Sequence, residues 1–192
     1  MKSYTLSETA LKLKGSYLKS SEMFSAIKDL KQNELTGLVQ LWLTEGIPFL
    51  FQNNPFVYEN MRIFLAQRIS INPKQITLIG SARTGYSMDP NKFGRAISNN
   101  SDLDFTIVSE SIFQNCKTEF LSWERDFNDE IILPKNEKER SYWIENVKLV
   151  PFNIARGFID THKVPNYEQY PIISRLNNSK WRLLETTKKM LS

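Results

Sequence analysis

Apolar residues recur at helical spacing in two stretches of the first third of the chain. The first stretch, residues 35–43, is followed by "EGIP", whose glycine and proline end a helix. The second follows "QNNP", where Asn54 can cap a helix and Pro55 fits its first turn, and it extends to about Ile69. We therefore predict two amphipathic helices that face a common core. Their apolar positions are Leu35, Leu38, Val39, Trp42, Leu43, Val57, Met61, Phe64 and Leu65.

Short apolar runs predict three strands. Residues Ile76 to Ile79 lie between Pro73 and Gly80 and are too few for a helix. Leu103 to Ser109, "LDFTIVS", is rich in β-branched and aromatic residues and follows the turn-forming "SNNSD". The run 146–154, "NVKLVPFNI", predicts a third strand, which Pro151 places at an edge or a bulge.

Helical patterns complete the order of elements. A helix is predicted from about Ser111 to Asn128 with Ser109 or Ser111 as its cap, and a closing helix from about Ile173 to Leu191. Helices mixed with a few strands predict an α+β, or mixed α/β, fold with a small mixed sheet. We expect a polar N-terminal segment over residues 1–33 and a single domain with helical additions over residues 34–192.

Composition narrows the class of protein. The chain has 192 residues, a formal net charge of +4 and 41% hydrophobic residues, which favours an ordinary globular protein with a weak preference for anionic ligands. Cys116 and His162 are the only residues of their types, which excludes an intramolecular disulfide and a Cys- or His-rich zinc site. Charges throughout the start of the chain, and the lack of a long apolar run, predict a cytoplasmic protein with no membrane partner.

The chemistry of the chain is concentrated between residues 79 and 109. Gly80 and Ser81 end a predicted strand, where backbone N–H groups and a hydroxyl can donate to phosphate oxygens. Asp102 and Asp104 are one residue apart on the next strand, so their side chains share a face. Two neighbouring carboxylates repel each other unless a cation lies between them, and Mg²⁺ prefers such hard oxygen ligands. For an isolated Asp-x-Asp, two solvated carboxylates at a strand entry are the alternative.

Together, "LIGSARTGYS" and "SDLDFTIVS" resemble the Gly-Ser and Asp-x-Asp signature of the polymerase β-like nucleotidyltransferase superfamily, over residues 76–110. The resemblance implies that Gly80 and Ser81 hold a triphosphate and that Asp102 and Asp104 bind a divalent metal, Mg²⁺ or Mn²⁺. It also implies a small mixed sheet with packed helices. Arg83, directly after the turn, is expected either to neutralise a phosphate or to pair with a surface acid.

The chain departs from that superfamily in two respects. The interval between Ser81 and Asp102 is long, and its Lys92 and Arg95 either reach phosphates or belong to a solvated loop. The superfamily usually has a third carboxylate on a later strand, and "NVKLVPFNI" contains none. Three explanations follow: Asp160 folds back as the general base, which Gly157 favours, or Glu145 takes that role, or catalysis is lost. The alternative for Asp160 is a salt-bridged loop carboxylate.

The leading functional expectation is a Mg²⁺-dependent nucleotidyltransferase that transfers a nucleoside monophosphate from an NTP to an acceptor hydroxyl. The acceptor is a protein, an RNA or a small molecule, and the resemblance implies a toxin or phage-defence setting with a protein partner. The alternative is a non-catalytic regulatory or interaction module of the same fold, with "PFLFQNNPF" or the basic tail around Lys188 and Lys189 as its partner surface.

Overall fold

The computed structural model describes residues 5–13, 17–98 and 101–179. The chain forms two compact units, one comprising residues 1–63 and 73–107 and the other residues 64–72 and 108–192. Residues 34–192, predicted as a single domain, are thus divided between the two units. Helices and a two-stranded sheet make the protein α+β, which confirms the coarse fold class. The sheet was predicted to be mixed, but its two described strands are antiparallel. Among the described residues, no helix is long and apolar enough to cross a membrane.

Four helices precede the sheet. They are α1 (Glu8–Lys12), α2 (Met23–Ile27), α3 (Gln32–Leu43) and α4 (Pro55–Ile69). Helices α3 and α4 confirm the two predicted from the apolar spacing. The polar N-terminal segment is attached to α3, because the Glu34 carboxylate accepts hydrogen bonds from the Ser7 N–H, the Ser7 hydroxyl and the Lys31 N–H. Phe51 of "PFLFQNNPF" is buried, whereas Phe49 and Phe56 are exposed.

The sheet contains two of the three predicted strands. Strand β1 (Ile76–Ile79) ends at the Gly80 turn, and the short helix α5 (Ser81–Thr84) follows. Strand β2 (Asp104–Ile107) is antiparallel to β1, with Ile79 opposite Asp104. This register places the end of β1 beside the start of β2. The sequence positions predicted to carry the chemistry therefore meet at one end of the sheet.

Arg83 of α5 lies at the centre of this unit. Its side chain is fully buried, and its guanidinium donates to the Trp42 carbonyl at 2.6 Å, the Thr77 hydroxyl at 3.1 Å and the Leu78 carbonyl at 3.1 Å. It also donates to the carbonyls of Leu41 and Glu45. Most of these acceptors lie at or just beyond the C-terminal end of α3, where the helix dipole is negative. Arg83 thereby joins α3, β1 and the Gly-Ser turn.

The described residues of the second unit contain three further helices. They are α6 (Glu110–Asn128), α7 (Glu137–Ala155) and α8, residues 171–179. The Ser109 hydroxyl accepts a hydrogen bond from the Ile112 N–H, which confirms one of the two predicted caps of α6. The Glu119 carboxylate accepts the N–H groups of Ile172 and Ile173, each at 2.9 Å, and so caps α8. The predicted continuation of α8 to Leu191, and the basic tail, lie outside the described residues.

The predicted third strand is wrong, because residues 146–154 belong to α7. Asn136 caps this helix by accepting the Glu139 N–H at 2.9 Å, so the charged "NEKERS" forms first turns and not a connector. Trp143, Asn146, Val150 and Asn153 are buried at intervals of three and four residues, which is helical spacing. Pro151 lies inside the helix on an exposed position.

An aromatic cluster forms the core of the second unit. Trp123 lies parallel to Phe127 with ring centroids 6.2 Å apart, and it meets Trp143 edge-on at 5.8 Å. The Phe120 ring is 5.6 Å from that of Trp123. Trp123, Phe120 and Trp143 are all buried. Aromatic burial of this size supplies much of the free energy that holds α6 against α7.

Cys116 of α6 is buried in this unit, and burial raises the pKa of its thiol to about 12. The nearby Glu119 carboxylate contributes the smaller part of this rise. A raised pKa keeps the thiol protonated at pH 8, and only the thiolate is an effective nucleophile. We expect native protein to react with iodoacetamide at pH 8 at least about a hundredfold more slowly than urea-unfolded protein. Mass spectrometry measures both rates, and equal rates would contradict the burial of Cys116 in the folded protein.

Candidate functional site

The Gly-Ser turn and β2 meet in a close backbone approach. Gly80 has φ 70°, a left-handed conformation that favours glycine. A Cβ atom at this position would lie 3.3 Å from Oδ2 of Asp104. The absence of a side chain at Gly80 therefore leaves the Asp104 carboxylate room beside the turn. Gly80 and Asp104 are therefore direct neighbours in the structure.

The two aspartates flank a buried residue. Leu103 is buried, whereas Asp102 and Asp104 are both exposed, as expected for side chains that alternate between two faces. Asp104 is the first residue of β2, and Asp102 lies two residues ahead of it along the chain. Both carboxylates are therefore accessible to solvent, and their oxygens can bind a cation. They do not carry the desolvation cost of buried charges.

The long interval between Ser81 and Asp102 contains an ordered hairpin-like loop. The Ile97 N–H donates to the Gly85 carbonyl at 2.9 Å, and the Ser87 N–H donates to the Arg95 carbonyl at 2.9 Å. The Gly94 N–H donates to the Ser87 carbonyl at 3.0 Å. We call residues 85–97 the hairpin. Its two arms run antiparallel, so a residue on its return arm is held in a fixed place.

The hairpin is packed onto the N-terminal part of its unit. The Phe93 ring lies 5.1 Å from that of Phe24 and 5.9 Å from that of Tyr86. The Tyr86 hydroxyl donates to the Met23 sulfur at 3.7 Å, and burial raises the pKa of Tyr86, which keeps that hydroxyl protonated. These contacts with α2 hold the hairpin against the N-terminal part of its unit.

The hairpin, the turn and β2 enclose a cleft of about 260 Å³. It is lined by two aspartates, one arginine, three serines, two apolar residues and a glycine. The lining residues are Gly80, Ser81, Ser87, Met88, Asp89, Arg95, Ala96, Ser101 and Asp104. Gly80, Ser81 and Asp104 were singled out from the sequence, and Arg95 was one of two basic residues weighed there. Asp102 is not among the described lining residues.

Asp89 is the lining residue of greatest chemical interest that sequence reasoning missed. One of its carboxylate oxygens accepts the Asn91 N–H at 2.8 Å, which fixes the side chain in a tight turn. The signal that points to Asp89 is its place in the interval between the Gly-Ser turn and the Asp-x-Asp strand. The cleft thus contains a carboxylate from the hairpin in addition to Asp104.

Arg83 and Asp160 have other partners. All five hydrogen bonds of the Arg83 guanidinium go to interior oxygens, so the structure gives this residue a structural role. Asp160 belongs to the second unit, where its carboxylate lies 3.4 Å from Lys163 Nζ and accepts from Asn153 Nδ2 at 3.3 Å. This ion pair agrees with the salt-bridged alternative. The general-base role of Asp160 stays a prediction.

The donor set suits a cation that completes its coordination with ligand oxygens. Carboxylates are hard oxygen ligands of the kind that bind Mg²⁺, and the cleft provides those of Asp89 and Asp104. Among residues 5–13, 17–98 and 101–179, no three His, Cys, Asp or Glu side chains are grouped to hold a metal. A metal held by one or two carboxylates therefore requires a ligand such as a phosphate to complete its shell.

No protein-family model, no curated protein and no solved structure matches the chain.

Proposed function

We propose that this protein is a Mg²⁺-dependent nucleotidyltransferase that transfers a nucleoside monophosphate from an NTP to a hydroxyl of a protein, RNA or small-molecule acceptor. One observation carries the proposal: Gly80 approaches the Asp104 carboxylate so closely that a Cβ would lie 3.3 Å from it, within a cleft that Ser81 also lines. A glycine turn that admits phosphate and a carboxylate that admits a cation are the two requirements of this chemistry.

Each residue has a defined task in this proposal. Gly80 leaves space for the β- and γ-phosphates, and the Ser81 hydroxyl donates to them. Asp104, together with Asp102, would hold Mg²⁺, which when bound neutralises charge on the triphosphate. The acceptor oxygen forms a bond to the α-phosphorus, the bond from that phosphorus to the bridging oxygen breaks, and pyrophosphate leaves. The acceptor proton passes to a carboxylate that acts as general base.

Asp104→Asn tests the site directly. The change removes a charge beside Gly80 and preserves side-chain size, so we expect affinity for non-hydrolysable NTP analogues in Mg²⁺ to fall at least about tenfold. Isothermal titration calorimetry with all four nucleotides measures the effect. Asp29→Asn is the matched control, because Asp29 is an exposed aspartate of the same unit outside the cleft. Unchanged affinity in Asp104→Asn, or no binding by the wild type, would reject the proposal.

Transfer separates an enzyme from the non-catalytic alternative. Wild-type protein incubated with α-³²P-NTP, Mg²⁺ or Mn²⁺ and a cell lysate is expected to label an acceptor, and Asp104→Asn is not. Labelling that depends on Asp104 supports the transferase. Nucleotide binding without labelling by any of the four NTPs would instead support a regulatory or interaction module.

A further inference from the structure

Arg95 is the cationic side chain among the described residues that line the cleft. It lies on the return arm of the hairpin, where its carbonyl accepts the Ser87 N–H at 2.9 Å. Its side chain is exposed, and no ion pair or hydrogen bond of its guanidinium is found within the described part of the chain. The guanidinium is therefore free to bind a ligand in the cleft.

The backbone of Arg95 is held in place on both sides. The Arg95 N–H donates to the Lys92 carbonyl at 3.1 Å. Its neighbour Gly94 has φ 79°, and a Cβ there would lie 3.3 Å from the Ser20 hydroxyl oxygen. Phe93 packs between Phe24 and Tyr86. Because these contacts fix the return arm, binding through Arg95 would not first require the loop to become ordered.

The charges in the cleft define what Arg95 can bind. Asp89 and Asp104 are acidic, so an anion entering alone would meet two repulsive carboxylates and one attractive guanidinium. A polyphosphate that brings Mg²⁺ presents positive charge to the carboxylates and oxygens to the guanidinium. The planar guanidinium matches two phosphate oxygens at once, which a lysine ammonium does not.

We propose that Arg95 binds the polyphosphate of the nucleotide, so that the hairpin supplies the phosphate-binding cation of the site. This inference rests on the proposed function and assigns a substrate-contacting residue to it. The role falls to Arg95 because Arg83, which directly follows the Gly-Ser turn, uses its donors inside the protein. Arg95 belongs instead to the segment that makes the interval before Asp102 long.

The test compares Arg95→Gln with Lys92→Gln. Both remove one positive charge from the hairpin at an exposed residue, but Lys92 does not line the cleft in the described structure. Calorimetry with Mg²⁺ and inorganic tripolyphosphate, and with a non-hydrolysable NTP, measures affinity. We expect Arg95→Gln to weaken binding of both ligands about tenfold or more, and Lys92→Gln to change it less than about twofold. Arg95→Lys should recover part of the loss.

The outcomes distinguish this inference from the proposed function. If wild type binds the NTP, Asp104→Asn weakens binding and Arg95→Gln does not, Arg95 is rejected and the proposed function stands. Equal losses in Arg95→Gln and Lys92→Gln would indicate general electrostatics and would also reject Arg95. No binding of tripolyphosphate or NTP by wild type overturns both. Circular dichroism and thermal melting, which are expected to be unchanged in all four variants, verify folding.

Discussion

Arg83→Met is expected to destabilise the protein by about 3–5 kcal/mol, because each buried acceptor left without a donor costs about 1–3 kcal/mol. The methionine removes all five hydrogen bonds of the guanidinium and leaves buried carbonyls of Trp42 and Leu78 without that donor. Because Arg83 joins α3 to β1 and α5, the Gly80 turn should also lose its support. Urea unfolding followed by circular dichroism measures the loss of free energy.

Arg62→Met is the graded control for this prediction. Arg62 lies in the same unit and donates to one backbone carbonyl, that of Pro73 at 2.9 Å, and to the partly exposed Glu59. Its replacement should cost only about 1 kcal/mol. Arg83→Lys keeps the charge but not the planar fork, so its loss should lie between those of the two methionine variants. A loss below about 1 kcal/mol in Arg83→Met would contradict the structural role.

Trp123→Ala is expected to destabilise the second unit by about 3–5 kcal/mol, as is usual when a large buried aromatic is truncated. The indole is completely buried and contacts the rings of Phe120, Phe127 and Trp143. Loss of near-ultraviolet circular dichroism and a lower urea midpoint would report the damage to this aromatic cluster.

Trp123→Phe sharpens the same prediction. The indole Nε1 is buried and has no hydrogen-bond acceptor among the described residues, so its N–H contributes no such bond to stability. A phenyl ring retains much of the aromatic contact and removes this unpaired donor, and we expect a loss smaller than about 1.5 kcal/mol. Equal losses in the alanine and phenylalanine variants would contradict a role based on ring packing.

The spacing of apolar residues predicted an element correctly where it matched only one kind of secondary structure. The helices over residues 32–43 and 55–69 and the strand over 76–79 followed from local pattern, because apolar spacing there matched a single structure. It failed over residues 146–154, where a proline and β-branched residues favoured an edge strand. In the structure, the buried helical positions continue from Trp143 to Asn153. They pass residue 146, where the predicted strand was expected to begin.

The residues of the candidate site that could be predicted from the sequence lie at the ends of the two strands. Gly80, Ser81 and Asp104 were named from residue type and spacing, and all three line one cleft. Asp89 was missed and Arg95 was left undecided, because their position depends on how the hairpin pairs and on which aromatic residues anchor it. The burial of Arg83 could not be predicted for a similar reason: its acceptors at the end of α3 are about 40 residues earlier in the chain and are set by tertiary packing.

The division of the chain into units has a consequence for its synthesis. The first unit combines residues 1–63 with residues 73–107, and its two strands come from the second of these segments. Its sheet therefore cannot form until residue 107 has left the ribosome, although α3 and α4 emerge much earlier. Residues 64–72 emerge before the rest of the second unit, which begins at residue 108. Translation pauses that occur once residue 107 has emerged from the exit tunnel would consequently favour completion of the cleft-bearing unit before the aromatic core of the other is available.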